Sequence, residues 1–445
     1  MSSEQQAADA SMAASTEDWA DQRVPASERR SIMSIVAARM GFTVSATDLV
    51  YGISLGLYFP FWLALAIALG SSVIIIVVSI LGGLIGQREG LTTALCLRQT
   101  FGNEGVRLPA LVIALIGVGF AGYSTGITVS VLPGDSNLAH LLYAIVLGAL
   151  YTALSIVGFK QGLTWVGRIA VPLMLVVVII AAVRAIDHVG GWGALLAKQP
   201  SQPSAVAIPI MIGLGINKWM QGATVTPDIM RFGKDRSSVY VSTIAEFLVG
   251  NFGFNLLGII VGLGVGVANL GDAFAAIGIG TLAIAAIVVQ GFPHEVNNMY
   301  AASLAARTTF GIPRLFINIA SGVIVIIVAY YGVTAGILQS FLAYLGWLGY
   351  IMPIIPGIFI ADYFLVRRCH YGSTVASASA FNLRAMSALI IGLGLHLYLG
   401  IALHDGLLKA LPVFGFALYL LFSIPQLIRA WSSKEPRTSE VDEFG

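Results

Sequence analysis

"FWLALAIALGSSVIIIVVSILGGLIG", residues 61–86, runs for 26 residues without a charged side chain. About 20 apolar residues cross a bilayer as a helix, so this stretch reads as a membrane span. "VGRIAVPLMLVVVIIAAV", residues 166–183, repeats the pattern with a single arginine. The chain around them has 445 residues, 57% of them apolar and 10% charged. Its mean hydropathy is +0.87. Soluble domains carry about 25% charged residues, so too little polar surface is available to cover a globule in water. The class is an all-α integral membrane protein forming one domain, with the lipid bilayer as its surroundings. A formal net charge of +2 gives no basic face for a nucleic acid.

Hydropathy and turn signals divide the chain into twelve expected transmembrane helices. They lie at 32–58, 60–86, 107–132, 138–158, 163–186, 204–227, 238–268, 274–303, 313–331, 333–361, 384–403 and 409–430. Residues 1–31 are polar, without the apolar core of a cleavable signal, and read as a disordered cytoplasmic tail. Residues 362–383 read as a cytoplasmic loop and 431–445 as a second tail. With the N-terminus inside, Arg23, Arg29, Arg30 and Arg39 lie near it, and Arg88, Arg98, Lys160, Arg231, Lys234, Arg307, Arg367, Arg368 and Lys434 all fall on the cytoplasmic side. The outer side receives Asp135, Asp187, Asp272 and Asp405 with few cations. This positive-inside bias places both termini in the cytoplasm and the protein in the plasma (inner) membrane. Cys96 and Cys369 fall beside basic cytoplasmic segments and read as free thiols rather than a disulfide.

Fifty glycines suit helices that pack closely or break where a cavity must be lined. Twelve spans accommodate a ten-helix core over 32–361, built as a five-plus-five inverted repeat, with two additional helices over 384–430. That architecture predicts breaks at matching places in the halves. "GFTVSATDLVYG" at 41–52 and "GINKWMQGATVTP" at 215–227 both interrupt an apolar run with polar residues. Helices 1 and 6 are therefore the expected broken pair.

Ionisable groups at bilayer depth are costly and ask for partners. They are Asp48 in helix 1, Lys218 in helix 6, Glu246 in helix 7, and His294 with Glu295 in helix 8. Lys218 either snorkels to the surface or pairs with Asp48 or Glu295. His294 and Glu295 follow Pro293, which removes a helical hydrogen bond, and form a candidate proton relay. Trp219, between Lys218 and Gln221, offers a ring face beside an amide, the combination that a flat hydrogen-bonding heterocycle requires. Phe120, in "IGVGFAGYSTG", is a second candidate stacking face. No metal-ligand cluster or nucleophile–base motif is present, so the chain reads as no enzyme.

Four segments resemble the nucleobase–cation symporter family, also known as the purine/cytosine permease family, and within it the bacterial cytosine permeases. They are "EGLTTALCLRQTFGNEGVRLPALV" at 89–112, "GATVTPDIMRFGKD" at 222–235, "NNMYAASLAARTTFGI" at 297–312 and "PIIPGIFIADYFLVRR" at 353–368. The resemblance implies the leucine-transporter type of inverted repeat. It also implies a base sandwiched between aromatics of helices 3 and 6, which fall on Phe120 and Trp219. Gln221 takes the place of a substrate-contacting hydroxyl, Lys218 that of a serine, and Gln290 and Glu295 those of asparagines. The family's sodium site uses helix 1 carbonyls and helix 8 hydroxyls, and Pro293 and His294 stand at the hydroxyl positions.

The reading is a secondary active transporter that imports cytosine, a purine or a related planar nitrogen heterocycle by alternating access. Trp219, Phe120, Gln221, Gln290, Lys218 and Asp48 are the expected substrate contacts. Asp48, His294 and Glu295 are the expected coupling groups. Protons are the expected co-transported ion, with sodium held by Asp48 as the lesser reading. An amino-acid or amine carrier on the same fold is the alternative. No cofactor or resident metal is implied, and a monomer would suffice. A fluorescent protein fused after residue 445 should light up, whereas a C-terminal alkaline phosphatase fusion should stay inactive. The reverse pattern would invert the assigned topology.

Overall fold

The computed structural model describes residues 19, 21–134, 136–157, 160–203, 206–372 and 379–432. Asp135, Lys434 and most of the two polar tails lie outside the described residues. The described chain is helical, with one isolated bridge between Arg30 and Gly233 and no strand. In chain order the principal helices are α1 (Ile32–Thr43), α2 (Ala46–Tyr58), α3 (Phe61–Glu89), α4 (Thr93–Phe101), α5 (Arg107–Ser130), α6 (Asn137–Val157) and α7 (Lys160–His188). They continue with α8 (Ile208–Thr224), the single turn α9 (Pro227–Met230), α10 (Arg236–Ile244) and α11 (Gly253–Val265), the last two joined through a π-helical stretch, Ala245–Phe252. Then come α12 (Leu270–Ala276), α13 (Gly280–Phe310), α14 (Arg314–Thr334), α15 (Ile337–Leu348), α16 (Ile354–Ala361), α17 (Leu383–Leu397) and α18 (Val413–Ser432).

Among the described residues, seven helices are long and apolar enough to cross a membrane, or eight if α1 and α2 form one bent span. Every interval expected from hydropathy contains helix, but two differ in form. The interval 333–361 holds two helices, because Gly349 and Pro353 interrupt it between Leu348 and Ile354. The interval 204–227 holds a regular helix through Lys218, Trp219 and Gln221, not the break expected there. Lys218 and Trp219 find partners on neighbouring helices without any unwinding of the backbone. The helix ends at Thr224, where Pro227 can give no N–H to the carbonyl four residues back.

The first span does bend. Ile32–Gly41 and Ala46–Tyr58 meet at 63°. Val44 and Ser45 are extended between them, and the carbonyls there leave the helical ladder. Thr43 turns its hydroxyl back onto the Arg39 carbonyl at 2.8 Å, closing the first segment.

Packing follows the order of an inverted repeat. α2 packs chiefly on α11, and α8 packs chiefly on α3. Exchanging span n with span n+5 turns the first of these pairs into the second. α5 crosses α13 and α14, and α14 covers α6. The α2–α11 crossing is backbone against backbone. Gly52 and Gly56 on one helix face Gly258 and Gly262 on the other, each pair four residues apart. A Cβ on Gly56 would stand 2.5 Å from the Ile259 carbonyl oxygen, and one on Gly258 would stand 2.6 Å from that of Leu49.

The segment Arg23–Arg30, assigned to a tail on composition, is docked on the basic end of the bundle. Arg23 reaches the Glu89 carboxylate at 2.7 Å and the Gly372 carbonyl at 2.6 Å. Val24 N–H donates to the Gly90 carbonyl at 2.9 Å, and Arg30 N–H to that of Phe232 at 2.7 Å. Cys96 and Cys369 are both free thiols.

Gly258→Leu should force α2 and α11 apart and cost roughly 1–3 kcal/mol, the scale of overpacking. In detergent this should appear as a lowered melting temperature. The lipid-facing change Val249→Leu, at a residue 60% exposed, should leave it unchanged.

Candidate substrate and coupling site

The bend brings a carboxylate to the start of α2. Asp48 lies in the first turn of that helix, where the unsatisfied N–H groups favour negative charge. Its Oδ1 accepts from Lys218 Nζ at 2.5 Å and from Trp219 Nε1 at 3.0 Å, and its Oδ2 accepts from Ser45 Oγ at 2.9 Å. Lys218 also donates to Asn255 Oδ1 at 2.8 Å, and its ammonium stands 4.5 Å from the centre of the Tyr51 ring. From Asn255 the chain continues through Asn251 to Ser72, at 3.1 and 2.9 Å. One network therefore ties α2, α3, α8, α11 and the π segment together.

Snorkelling is excluded for Lys218, whose side chain is 1% exposed. Of the two acids proposed for it, the structure pairs it with Asp48. The Trp219 indole is held by Asp48 through its N–H and by Phe247 through an edge contact at 5.7 Å and 80°. With the N–H committed inside the protein, what the indole can offer a ligand is its ring face. Phe120 lies on α5 against Tyr344 of α15, edge to face at 5.3 Å, with Tyr123 4.8 Å from the same tyrosine. Tyr344 donates to the Ile116 carbonyl at 2.7 Å, which fixes this aromatic cluster to α5.

Gln221 is buried with its amide nitrogen unbonded among the described residues. It points at Gly117 of α5, where a Cβ would stand 3.4 Å from Gln221 Nε2 and 3.3 Å from the Asn298 carbonyl oxygen. A narrow cleft opens where Ser45, Ser124, Thr128, Gln290 and His294 meet. Gln290 donates its amide N–H to the Val44 carbonyl at the bend, while its Oε1 has no bond among the described residues. Glu295 is 0% exposed, and neither carboxylate oxygen has a hydrogen-bond partner among the described residues. It follows His294 on α13 and stands apart from the Asp48–Lys218 pair.

Among the described residues the other buried acids, Asp48, Glu89, Glu246 and Asp362, pair with Lys218, Arg23, Arg39 and Arg367. The Arg39–Glu246 pair, near the bend, also engages Ser79 at 2.9 Å. Hydropathy had placed Arg39 at the cytoplasmic end of its span, but it is 1% exposed inside the bundle. Sequence reading also passed over Asn251, Asn255 and Tyr344. The two asparagines carried a usable signal, being four residues apart on one face of an apolar span.

A bent first span and charged groups matched across the centre of a helical bundle are features expected of a membrane transporter. Comparison with known proteins agrees. A family model described as "Permease for cytosine/purines, uracil, thiamine, allantoin" matches residues 23–415, and the chain belongs to that family. Cytosine permeases of Escherichia coli O157:H7 and of strain K12 are each 27% identical to it over 412 residues, covering 91% of this chain and 94% of theirs. Among solved structures, Mhp1, a nucleobase-cation-symport-1 family transporter, closed with bromovinylhydantoin bound, superposes with a TM-score of 0.73 at 18% identity. That match covers 94% of this chain and 96% of the other. The inward-facing conformation of Mhp1 gives 0.77, covering 92% and 93%. The fold is that transporter fold, and the protein is a multi-pass permease, not an enzyme.

Lys218→Met leaves Asp48 buried without its counter-charge and should cost about 3–5 kcal/mol of stability. The double change Asp48→Asn with Lys218→Met should recover most of that loss in a thermal-shift assay. Additive losses would show that the two groups do not act as a pair.

Proposed function

We propose that the protein imports cytosine, a purine or a related planar nitrogen heterocycle across the plasma (inner) membrane, driven by protons, with both termini in the cytoplasm. Family membership supports the substrate class. Trp219 and Phe120 supply stacking faces, and Gln221 and Gln290 carry amide groups for the edge of a ring.

One observation carries the choice of ion: among the described residues, Glu295 is the buried acid left without an ion-pair partner. An ionised carboxylate with neither counter-charge nor donor is costly to bury. A proton removes that cost, and alternating exposure of the group to the two sides makes it a carrier. His294, beside it in the cleft, is the natural relay to water. Sodium is less well served. A hard cation needs several oxygen ligands, yet the Val44 carbonyl accepts the Gln290 amide and Pro293 brings no hydroxyl. Asp48, the remaining anion nearby, is neutralised by Lys218. Its role is to hold α2 and α8 together and to set the plane of Trp219.

Symport then requires that proton and substrate favour the same conformer, each raising the affinity for the other. In proteoliposomes free of sodium, an inward proton gradient should drive accumulation of radiolabelled cytosine or of a competing heterocycle. Uptake that needs sodium and ignores the pH gradient would overturn the assignment.

A further inference from the structure

We infer that the transported proton is itself part of the substrate-recognition surface: Glu295 binds the heterocycle as a neutral acid, whose O–H donates and whose C=O accepts on adjacent atoms of the ring edge. The inference rests on the reading of the protein as a heterocycle permease and adds the chemistry by which proton and substrate are linked.

Geometry supports it. Both oxygens of Glu295 are buried without a hydrogen bond among the described residues, so the carboxyl has two adjacent unused hydrogen-bonding positions. Ser124 of α5 faces it without a hydrogen bond of good geometry, and Ser124 lines the cleft. Tyr151 of α6 faces it as well, its hydroxyl also unbonded. On its own helix the titratable neighbour is His294. Asp48, in the first turn of α2, is held by Lys218. Among the described residues no lysine or arginine of any packed element pairs with Glu295.

The two protonation states read different edges. An ionised carboxylate presents two acceptors and suits a ring with two neighbouring N–H donors, the guanine pattern. A carboxylic acid presents one donor beside one acceptor. It complements an acceptor next to an N–H, as in the ring nitrogen and amino group of cytosine or adenine, or the carbonyl and N–H of uracil. A proton taken from the outer solution forms the O–H of Glu295, and the substrate then accepts from it. Loss of that proton to the inner solution leaves two acceptors facing the substrate's own acceptor, which weakens binding and releases it. Proton and substrate thus become mutually dependent ligands.

The test is binding, measured with purified protein against cytosine, adenine, uracil and guanine from about pH 6 to 9. The wild-type affinity for cytosine, adenine or uracil should fall up to tenfold per pH unit once Glu295 ionises. Glu295→Gln fixes one donor and one acceptor in place. It should bind with the acid-limit affinity at every pH, yet fail to accumulate substrate on a proton gradient. Glu295→Ala should bind weakly throughout. Wild-type binding that ignores pH, or pH dependence that persists in Glu295→Gln, would overturn the inference while leaving the permease reading intact. Absence of binding by all four heterocycles to the wild type would overturn both. The wild-type titration decides the matter even if a variant fails to fold.

Discussion

A charge taken into the middle of a bilayer must be matched, because hydrocarbon offers it neither water nor counter-ions. The organisation of this permease follows from how each charge meets that requirement. Lys218 on α8 answers Asp48 on α2, and Arg39 on α1 answers Glu246 in the π segment. Each pair bridges spans that are distant in sequence. The charges are therefore also what fixes the two halves of the core relative to one another. Buried pairs contribute little net stability over apolar side chains of similar size, but breaking one is expensive. Their service here is to specify which helices meet, and at what height.

The bend at Val44–Ser45 depends on the same network. A bent helix exposes carbonyls that hydrocarbon will not tolerate unpaired. Asp48 N–H donates to the Ser45 carbonyl at 3.3 Å, and Gln290 gives its amide N–H to the Val44 carbonyl. The break is thus satisfied by a main-chain N–H of α2 and a side chain of α13. In this way the cleft, the bend and the helix that carries Glu295 meet through these hydrogen bonds.

Much of this was legible in the sequence, and the parts that were not share a cause. Apolar runs placed the spans, because span length is a property of the chain alone. The family was legible in "TPDIMRFG" and "IADYFLVRR", and the polar residues at 217–221 stood out as out of place in an apolar span. What those residues do to the backbone was misread. Their partners, Asp48 and Asn255, lie 170 and 37 residues away, and without those partners a run of polar groups looks like a break. Arg39 misled for a similar reason. An arginine near a span end normally faces water, and only the presence of Glu246 on a different helix draws it inside. The isolation of Glu295 was equally hidden, since being the unpaired acid is a statement about all the other acids. The docked segment Arg23–Arg30 failed on composition, because polar residues bind a polar rim as readily as they bind water.

The glycine crossing of α2 and α11 has a mechanical consequence. With Gly52 and Gly56 seated against Gly258 and Gly262, the two helices touch through their main chains. Sliding one past the other by a residue would drive Leu or Ile side chains into carbonyl oxygens, which a close-packed interior resists. The pair therefore moves as one stiff lever. Its fulcrum is the extended stretch at Val44–Ser45, where two residues outside the helical ladder can absorb a change in φ and ψ. A lever pinned at that point swings its far end through the greatest arc. The ends of α2 and α11 far from the bend would thus move most, while the first turn of α2, where Asp48 holds Trp219, barely shifts.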